Sequence, residues 1–191
     1  MKLNYLGVWS LLLVMVFGVG CERRPPELLF PNSDFEMGNL TGWRILGGDA
    51  FDAQPIRGDN IQARHRGISG HAGKYWIGTY ERSNPQGPAD GRIQTDLPQG
   101  VLESQEFTLK NKRVQFLIGG GQASELTGVG LKVNGAMVLF EPGRGVYVNQ
   151  EEMHRVVWDV SDWAGQRAVI VIRDQAGDAW GHINADDFRY R

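Results

Sequence analysis

Hydrophobic and polar residues alternate along this chain in short runs, and turn-forming residues separate most of these runs. Apolar residues occupy every second position in Val129–Val133, which is the period of a strand with one buried face. Ala168–Ile172 is apolar throughout, as in a central strand covered on both faces. Asn134-Gly135 separates two such runs and predicts a tight hairpin. These patterns predict an all-β chain of antiparallel strands.

Strand-like runs continue from residue 42 almost to the C-terminus. They cover Gly42–Ile45, Gly73–Tyr80, Arg92–Thr95, Gln105–Leu109, Arg113–Ile118, Gly128–Val133, Met137–Phe140, His154–Asp159, Arg167–Arg173 and Ile183–Tyr190. Val160–Gly165 predicts a single helical turn that ends at a glycine. The expected fold is an antiparallel β-sandwich or jelly roll, formed as a single domain by residues 30–191.

The N-terminal residues have the pattern of an export signal. Met1-Lys2 gives a positive start, and Leu6–Val19 is almost wholly apolar but shorter than the roughly 18–20 residues of a spanning helix. We therefore predict a signal peptide over residues 1–20 and a tether over residues 21–29. Cys21 is the one cysteine of the chain, which argues against a disulfide framework in an exported protein.

The segment Gly18-Val19-Gly20-Cys21 resembles the lipobox of bacterial lipoproteins, although Gly18 replaces the usual Leu, Val or Ile. The resemblance implies that Cys21 is lipidated and anchors the chain to a membrane, on the periplasmic or outer side of the cell envelope. An ordinary signal peptide with an incidental cysteine, or an uncleaved anchor, is the alternative. The formal net charge of −2 argues against nucleic acid as a partner, because that needs a dense basic face.

Carboxylates occur beside aromatic residues at both ends of the predicted domain, in Asn32–Glu36 and in Gly181–Phe188. If the first and last strands lie side by side, these carboxylates meet. They then either repel each other or share a cation, and oxygen ligands select a hard cation such as calcium. The alternative is that they cap turns or pair with Arg44 or Arg189 at the surface.

Two groups of motifs carry a resemblance to known families. Asn32–Trp43 resembles the opening strand of jelly-roll carbohydrate-binding modules of the galactose-binding-like superfamily. Further segments occur in the same order in an accessory β-sandwich found beside levanase- and sucrase-like glycoside hydrolases of family 32: Gly48–Phe51, Phe116–Gly121, Val157–Ser161 and Trp180–Asp186. The resemblance implies a fructan or other glycan as ligand. It also implies a structural calcium held by Glu36 and Asp186, with Asp34 and Asp187 as neighbours.

Catalytic patterns are missing from the sequence. The family 32 enzymes carry their chemistry in a separate propeller with an Arg-Asp-Pro motif, whereas here Arg173-Asp174 is followed by Gln175. The histidines lack the His-Glu-x-x-His spacing of a zinc site. We interpret Glu151-Glu152 as a solvated turn. The sequence thus predicts no catalytic residues, and a glycosidase remains a third possibility for function.

Aromatic and polar residues in two segments are the candidates for sugar binding, since an aromatic ring supports the apolar face of a sugar. We expect the ligand-binding residues to be Trp76, Tyr80, Arg82, Trp180 and His182, with Asp49, Gln122 and Arg144 as further polar candidates. The alternative for each tryptophan is a place in the core. The predicted function is an exported, lipid-anchored, non-catalytic carbohydrate-binding domain. A structural or protein-interaction domain of an envelope complex is the alternative.

Overall fold

The computed structural model describes residues 26–121, 125–143 and 151–191. The predictions for residues 1–20, Cys21, Gln122 and Arg144 lie outside these ranges. The strands are β1 (Trp43–Gly48), β2 (Ile56–Arg57), β3 (Tyr75–Gly78), β4 (Gly100–Ser104), β5 (Phe107–Thr108), β6 (Arg113–Gly119), β7 (Thr127–Val133), β8 (Ala136–Pro142), β9 (His154–Asp159), β10 (Arg167–Asp174) and β11 (Asn184–Tyr190). Two short helices complete the described part: α1 (Asn60–Ala63) and a 3₁₀ turn at Ser161–Trp163.

These strands form two antiparallel sheets, as the all-β prediction requires. One sheet has the order β1-β4-β10-β7-β8, with β5 also paired to β10, and the other has the order β2-β3-β11-β6-β9. The apolar strand β10 is central in its sheet, as its sequence predicts. Asn134 and Gly135 join β7 to β8 with φ angles of 50° and 85°, which is the conformation that an Asn-Gly hairpin requires.

The strand pattern differs from the prediction in a few places. Arg92–Thr95 is wrong as a strand, because its one ladder contact in the described chain is an isolated bridge between Glu81 and Ile93. The pattern does not predict β4, whose one fully buried apolar side chain is Leu102. Elements with so few buried apolar positions leave too weak a period to detect.

An aromatic cluster fills the space between the sheets. The rings of Phe116 and Phe188 stack at 5.3 Å, and Trp158 meets Phe116 edge-on at 4.6 Å. Phe35, which precedes β1, stacks on Trp43 at 4.8 Å and therefore belongs to the same core. The burial of several large rings makes this cluster a main part of the core between the sheets.

The N-terminal segment runs beside β11, although it forms turns and not the first strand that the sequence suggests. The backbone N–H of Leu29 donates to the Phe188 carbonyl (3.3 Å), and the Ser33 hydroxyl donates to the same carbonyl (2.7 Å). Leu28 forms an isolated bridge with Arg189. Because Leu29 is also buried, the sandwich begins before residue 30, and the predicted tether over residues 21–29 is too long.

No helix in the three described ranges is both long enough and apolar enough to cross a membrane.

Candidate functional site

The ends of several strands define one pole of the sandwich. Asn184, the first residue of β11, pairs with Gly78 at the end of β3 and with Gly119 at the end of β6. His154, the first residue of β9, lies next to the end of β6. The loops that leave these strands therefore meet at this end, which we call the loop pole.

A pocket of about 170 Å³ opens at the loop pole, and we call it the pole pocket. Its lining comes from segments that are far apart in sequence: Arg64, Arg66, Tyr80, Asp96, Glu151, Ala179, Trp180 and His182. The volume is below the roughly 300–1,000 Å³ of a pocket for a drug-sized ligand. The pocket therefore suits one small group, such as a single sugar ring.

A chain of alternating charges lies at the pocket, and all of its members except Glu81 line it. We call it the charge chain: Glu81, Arg64, Glu151, His182 and Asp96. Arg64 Nη2 lies 2.6 Å from Glu81 Oε1 and 2.6 Å from Glu151 Oε1. His182 Nδ1 lies 2.6 Å from Asp96 Oδ1, and His182 Nε2 lies 3.4 Å from Glu151 Oε2. Asn60 donates to the second oxygen of Glu81.

The charge chain controls the protonation of its members. Burial alone would lower the pKa of His182, but the hydrogen bonds and charges of Asp96 and Glu151 outweigh it and raise the pKa to about 9. Burial alone would raise the pKa of Glu151, but His182 and Arg64 hold it at about 2. At neutral pH His182 is therefore an imidazolium between two carboxylates.

Two aromatic rings contact the charge chain. The Tyr80 ring centroid lies 5.2 Å from that of His182, and the half-buried Trp180 stacks against His182 at 5.5 Å. The Arg64 guanidinium lies 4.9 Å from the centroid of the Tyr80 ring. The pocket thus combines apolar ring faces with charged hydrogen-bonding groups, which is the mixture that a sugar requires.

Unusual backbone conformations hold the loops of the pocket. His65, Thr95 and Trp180 have φ angles of 58°, 70° and 67°, and each lines the pocket or adjoins a lining residue. Such conformations are unfavourable for bulky or β-branched residues and cost on the order of 1–3 kcal/mol each. They persist when surrounding contacts impose them, and they are concentrated at functional sites.

A glycine run brings the backbone close to His182. Gly120 has a φ of 68°, and a Cβ at this position would lie 2.8 Å from His182 Cδ2. The run Gly119–Gly121 therefore permits a close approach of the end of β6 to the histidine. This role agrees with the absence of a phosphate-loop lysine from the sequence around it.

The structure brings together three of the five predicted ligand-binding residues, namely Tyr80, Trp180 and His182. Trp76 is wrong as a binding platform, because its side chain is fully buried and its Nε1–H donates to the Gly58 carbonyl at 2.9 Å. Arg82 is exposed but is not part of the pocket lining.

The interpretation of Glu151 as part of a solvated turn is also wrong, since its side chain is 8% exposed and paired with Arg64 and His182. No sequence pattern marks Arg64, Arg66 or Asp96 as site residues. The one local sign of the site in the sequence is the basic cluster Arg64-His65-Arg66 after α1. It can be interpreted as part of a site only once the fold places Arg64 beside Glu81 and Glu151.

The carboxylates at the chain ends form a second cluster. Glu36 Oε1 accepts from the backbone N–H groups of Lys74 (2.7 Å) and Tyr75 (2.9 Å). Asp186 Oδ2 accepts from the Ala72 N–H at 2.8 Å. The two side chains therefore reach the same loop from opposite ends of the chain, and we call them the carboxylate pair.

Asp186 is fully buried. Burial raises the pKa of its carboxyl well above the usual range, and the negative charges of Asp187 and Glu36 raise it further. Neither Glu36 nor Asp186 has an ion-pair partner within the described ranges. A buried carboxyl in such surroundings binds either a proton or a cation.

The neighbouring carboxylates have basic partners. Arg189 contacts Asp34 at 3.0 Å and also pairs with Asp187, which lies 3.0 Å from Arg155. The alternative of pairing with Arg189 therefore holds for Asp34 and Asp187, but not for the carboxylate pair. In the described part of the chain no three His, Cys, Asp or Glu side chains are placed to hold a metal ion. Calcium there would need backbone carbonyls and water as well.

Comparisons with known proteins give limited matches. No family model matches the chain. A protein of Aspergillus rugulosus named "Putative glycosyl hydrolase ecdE" is 34% identical over 145 residues, which are 76% of this chain. Those residues are 18% of the Aspergillus protein, so the chain spans about a fifth of its length.

Two solved structures resemble the sandwich more distantly. The module TmCBM61, solved in complex with β-1,4-galactotriose, is 19% identical with a TM-score of 0.49, and the match covers 85% of this chain and 97% of the module. The K1 cleaved adhesin domain of Lys-gingipain from Porphyromonas gingivalis W83 is 16% identical with a TM-score of 0.45, and it covers 83% and 95%. At these values neither structure carries an argument about the ligand, and the predicted link to family 32 stays a prediction.

Asp174, at the end of β10, should make the stability of the fold depend on pH. Its side chain is 1% exposed, and burial raises its pKa to about 7 although Thr79 and His182 oppose the shift. Because the ordinary pKa is 3.8, folding loses stability as the pH rises from 3.8 to 7, by up to roughly 4 kcal/mol. Asp174→Asn should therefore raise the free energy of unfolding at pH 8 by roughly 2–4 kcal/mol and change it little at pH 4.

Urea denaturation at the two pH values measures this difference. Asp178→Asn, an exposed aspartate in the following loop, is the matched control and should have no effect at either pH. An equal effect of Asp174→Asn at both pH values would contradict the raised pKa.

Proposed function

We propose that this chain is an exported, lipid-anchored, non-catalytic β-sandwich that binds carbohydrate in the pole pocket. The observation that carries the proposal is the joint placement of Tyr80 and Trp180 over the buried charge chain. A sugar ring would lie against the aromatic faces while its hydroxyl groups bond to the charged side chains. The ligand is a fructan or another glycan of which the pocket takes one ring.

The state of the pocket carboxylates supports binding without catalysis. A glycosidase needs a carboxylic acid that keeps its proton near neutral pH and reaches the substrate. Glu151 is held ionised with a pKa of about 2, and Asp96 is engaged with His182. Asp174 has a suitable pKa but is 1% exposed and is not part of the pocket lining.

The carboxylate pair fits a structural calcium ion better than it fits a catalytic site. Two acidic side chains that have no basic partner among the described residues bond to the same loop, and carboxylate oxygens are the ligands that calcium prefers. Glu36 and Asp186 would hold the ion with backbone carbonyls and water. Such an ion would join the N-terminal segment to β11 and stabilise the fold without taking part in binding.

Export and anchoring rest on the sequence. The apolar run that ends at Cys21 supports lipidation of that thiol. The described chain begins beside the last residues of β11, where the Tyr190 N–H donates to the Glu27 carbonyl at 2.8 Å. The pole pocket lies at the other end of β11, so an anchor at Cys21 would leave its opening away from the attachment point.

A protein-interaction domain is the second candidate, and exposed apolar side chains favour it. Leu97 is 75% exposed next to Asp96, and Leu126 is 50% exposed beside the loop that follows β10. Exposed apolar side chains are typical of protein contact surfaces when they lie in one contiguous patch. If the wild-type protein binds an envelope protein and binds no glycan, that result would favour this candidate.

Replacement of Trp180 tests the proposed function. Trp180→Ala removes one ring of the pocket and should weaken glycan binding by about tenfold or more, because buried tryptophan contacts dominate many binding sites. Trp163→Ala is the matched control, since Trp163 is also half-buried but lies in the 3₁₀ turn beyond the far end of β9. A glycan array followed by titration of the retained glycans gives the measurement.

The wild-type protein should retain selected glycans, and Trp163→Ala should retain the same set. Absence of binding by the folded wild type at millimolar sugar would contradict the proposal, as would full binding by Trp180→Ala.

Removal of calcium tests the carboxylate pair. Chelation should lower the melting temperature of the wild type. Addition of calcium at a hundred times its Kd should raise the free energy of unfolding by about 2.7 kcal/mol. Asp186→Asn and Glu36→Gln should abolish the response to calcium. Asp34→Asn is the control and should keep it, because that carboxylate is paired with Arg189.

Differential scanning fluorimetry with and without chelator gives these melting temperatures. A melting curve unchanged by chelator, together with an Asp186→Asn variant as stable as the wild type, would show that a proton and not a cation occupies the site.

A further inference from the structure

The carboxylates that line the pole pocket are already occupied as hydrogen-bond acceptors. Asp96 Oδ1 contacts His182, and Asp96 Oδ2 accepts from the Trp180 backbone N–H at 3.3 Å. Glu151 Oε1 accepts from Arg64, and Glu151 Oε2 faces His182 and Asn184. A ligand that offers only donors would therefore compete with bonds that the protein already makes.

Several donors of the lining, by contrast, are free within the described ranges. Arg64 uses Nε and Nη2 for its carboxylate partners, which leaves Nη1. The Trp180 Nε1–H, the Tyr80 hydroxyl and the Arg66 guanidinium have no hydrogen-bond partner in the described ranges. The pocket thus presents an excess of donors, and these donors call for a ligand rich in acceptors.

The charged side chains of the lining also favour a ligand rich in acceptors. Arg64 lies between Glu81 and Glu151, and His182 lies between Glu151 and Asp96. Arg66 is exposed, and it is the one cation of the pocket lining that has no carboxylate partner in the described part of the chain. An anionic group of planar or tetrahedral shape is the usual partner of such a guanidinium.

We infer that the pole pocket selects a glycan with an anionic substituent, namely the carboxylate of a uronic acid or a sulfate ester. The inference rests on the proposed function and specifies its ligand. The sugar ring lies against Tyr80 and Trp180, and its anionic group bonds to Arg66 at the mouth of the pocket and to Arg64 Nη1. Carboxylate and sulfate share the property that matters here, since both carry negative charge and only acceptor oxygens.

A glycan array that holds each backbone in neutral, uronate and sulfated forms tests this inference on the full chain. The wild type should retain uronate or sulfated members and not their neutral counterparts, and the form retained identifies the source of the charge. Arg66→Gln should weaken binding of the retained glycans by about tenfold or more, and binding by the wild type should weaken as salt increases. Arg113→Gln, an exposed arginine at the first residue of β6 and outside the lining, is the matched control and should bind like the wild type.

The outcomes separate this inference from the proposed function. Retention of neutral glycans with Trp180-dependent affinity would overturn the anionic preference and leave carbohydrate binding intact. Unchanged affinity of folded Arg66→Gln for acidic glycans would overturn the role of Arg66. Retention of no glycan of any form would overturn both proposals together.

Discussion

The charge chain is the interaction on which the loop pole depends. Its five members come from five segments of the chain. Arg64, after α1, pairs with Glu81, after β3, and with Glu151, before β9. His182 adds the segment before β11, and Asp96 adds the segment before β4. Removal of Arg64 would leave the buried Glu81 without a basic partner in the described part of the chain, and loss of such a counter-charge typically costs about 3–5 kcal/mol. The charges therefore fix the loops as a unit, and the aromatic rings are positioned by that unit.

The two ends of β11 contact different parts of the fold. At its first residue, Asn184 donates from its amide to the Glu151 carbonyl at 3.0 Å and so belongs to the loop pole. Further along, Asp186 and Phe188 contact the loop at residue 72 and the N-terminal segment. One strand thus connects the pocket to the carboxylate pair, and stabilisation of the chain ends also supports the strand that begins at the pocket.

The sequence predicts the architecture well because strands have a local signature. Alternation in β7, the apolar run of β10 and the Asn-Gly hairpin each depend on neighbouring residues alone. Trp76 shows the limit of such reasoning: alternation places it on one face with Tyr80, but β3 ends at Gly78, so the two side chains have different surroundings.

The candidate site is less predictable because its contacts are distant in sequence. Arg64 and Glu151 are 87 positions apart, and Asp96 and His182 are 86 apart. A charged residue in a loop has no local feature that distinguishes burial from solvation, and Glu151 beside Glu152 has the composition of an exposed turn. The topology alone brings these residues together.

The protonation of His182 tests the charge chain most directly. An NMR titration of its imidazole carbons, assigned by comparison with a His182→Asn variant, gives the pKa in the folded protein. If Asp96 and Glu151 lie on either side of the ring, the midpoint is about 9 and the ring is charged at neutral pH. A midpoint at or below the ordinary value of 6.5 would show that the carboxylates do not face the ring, and it would contradict the account of the pole pocket.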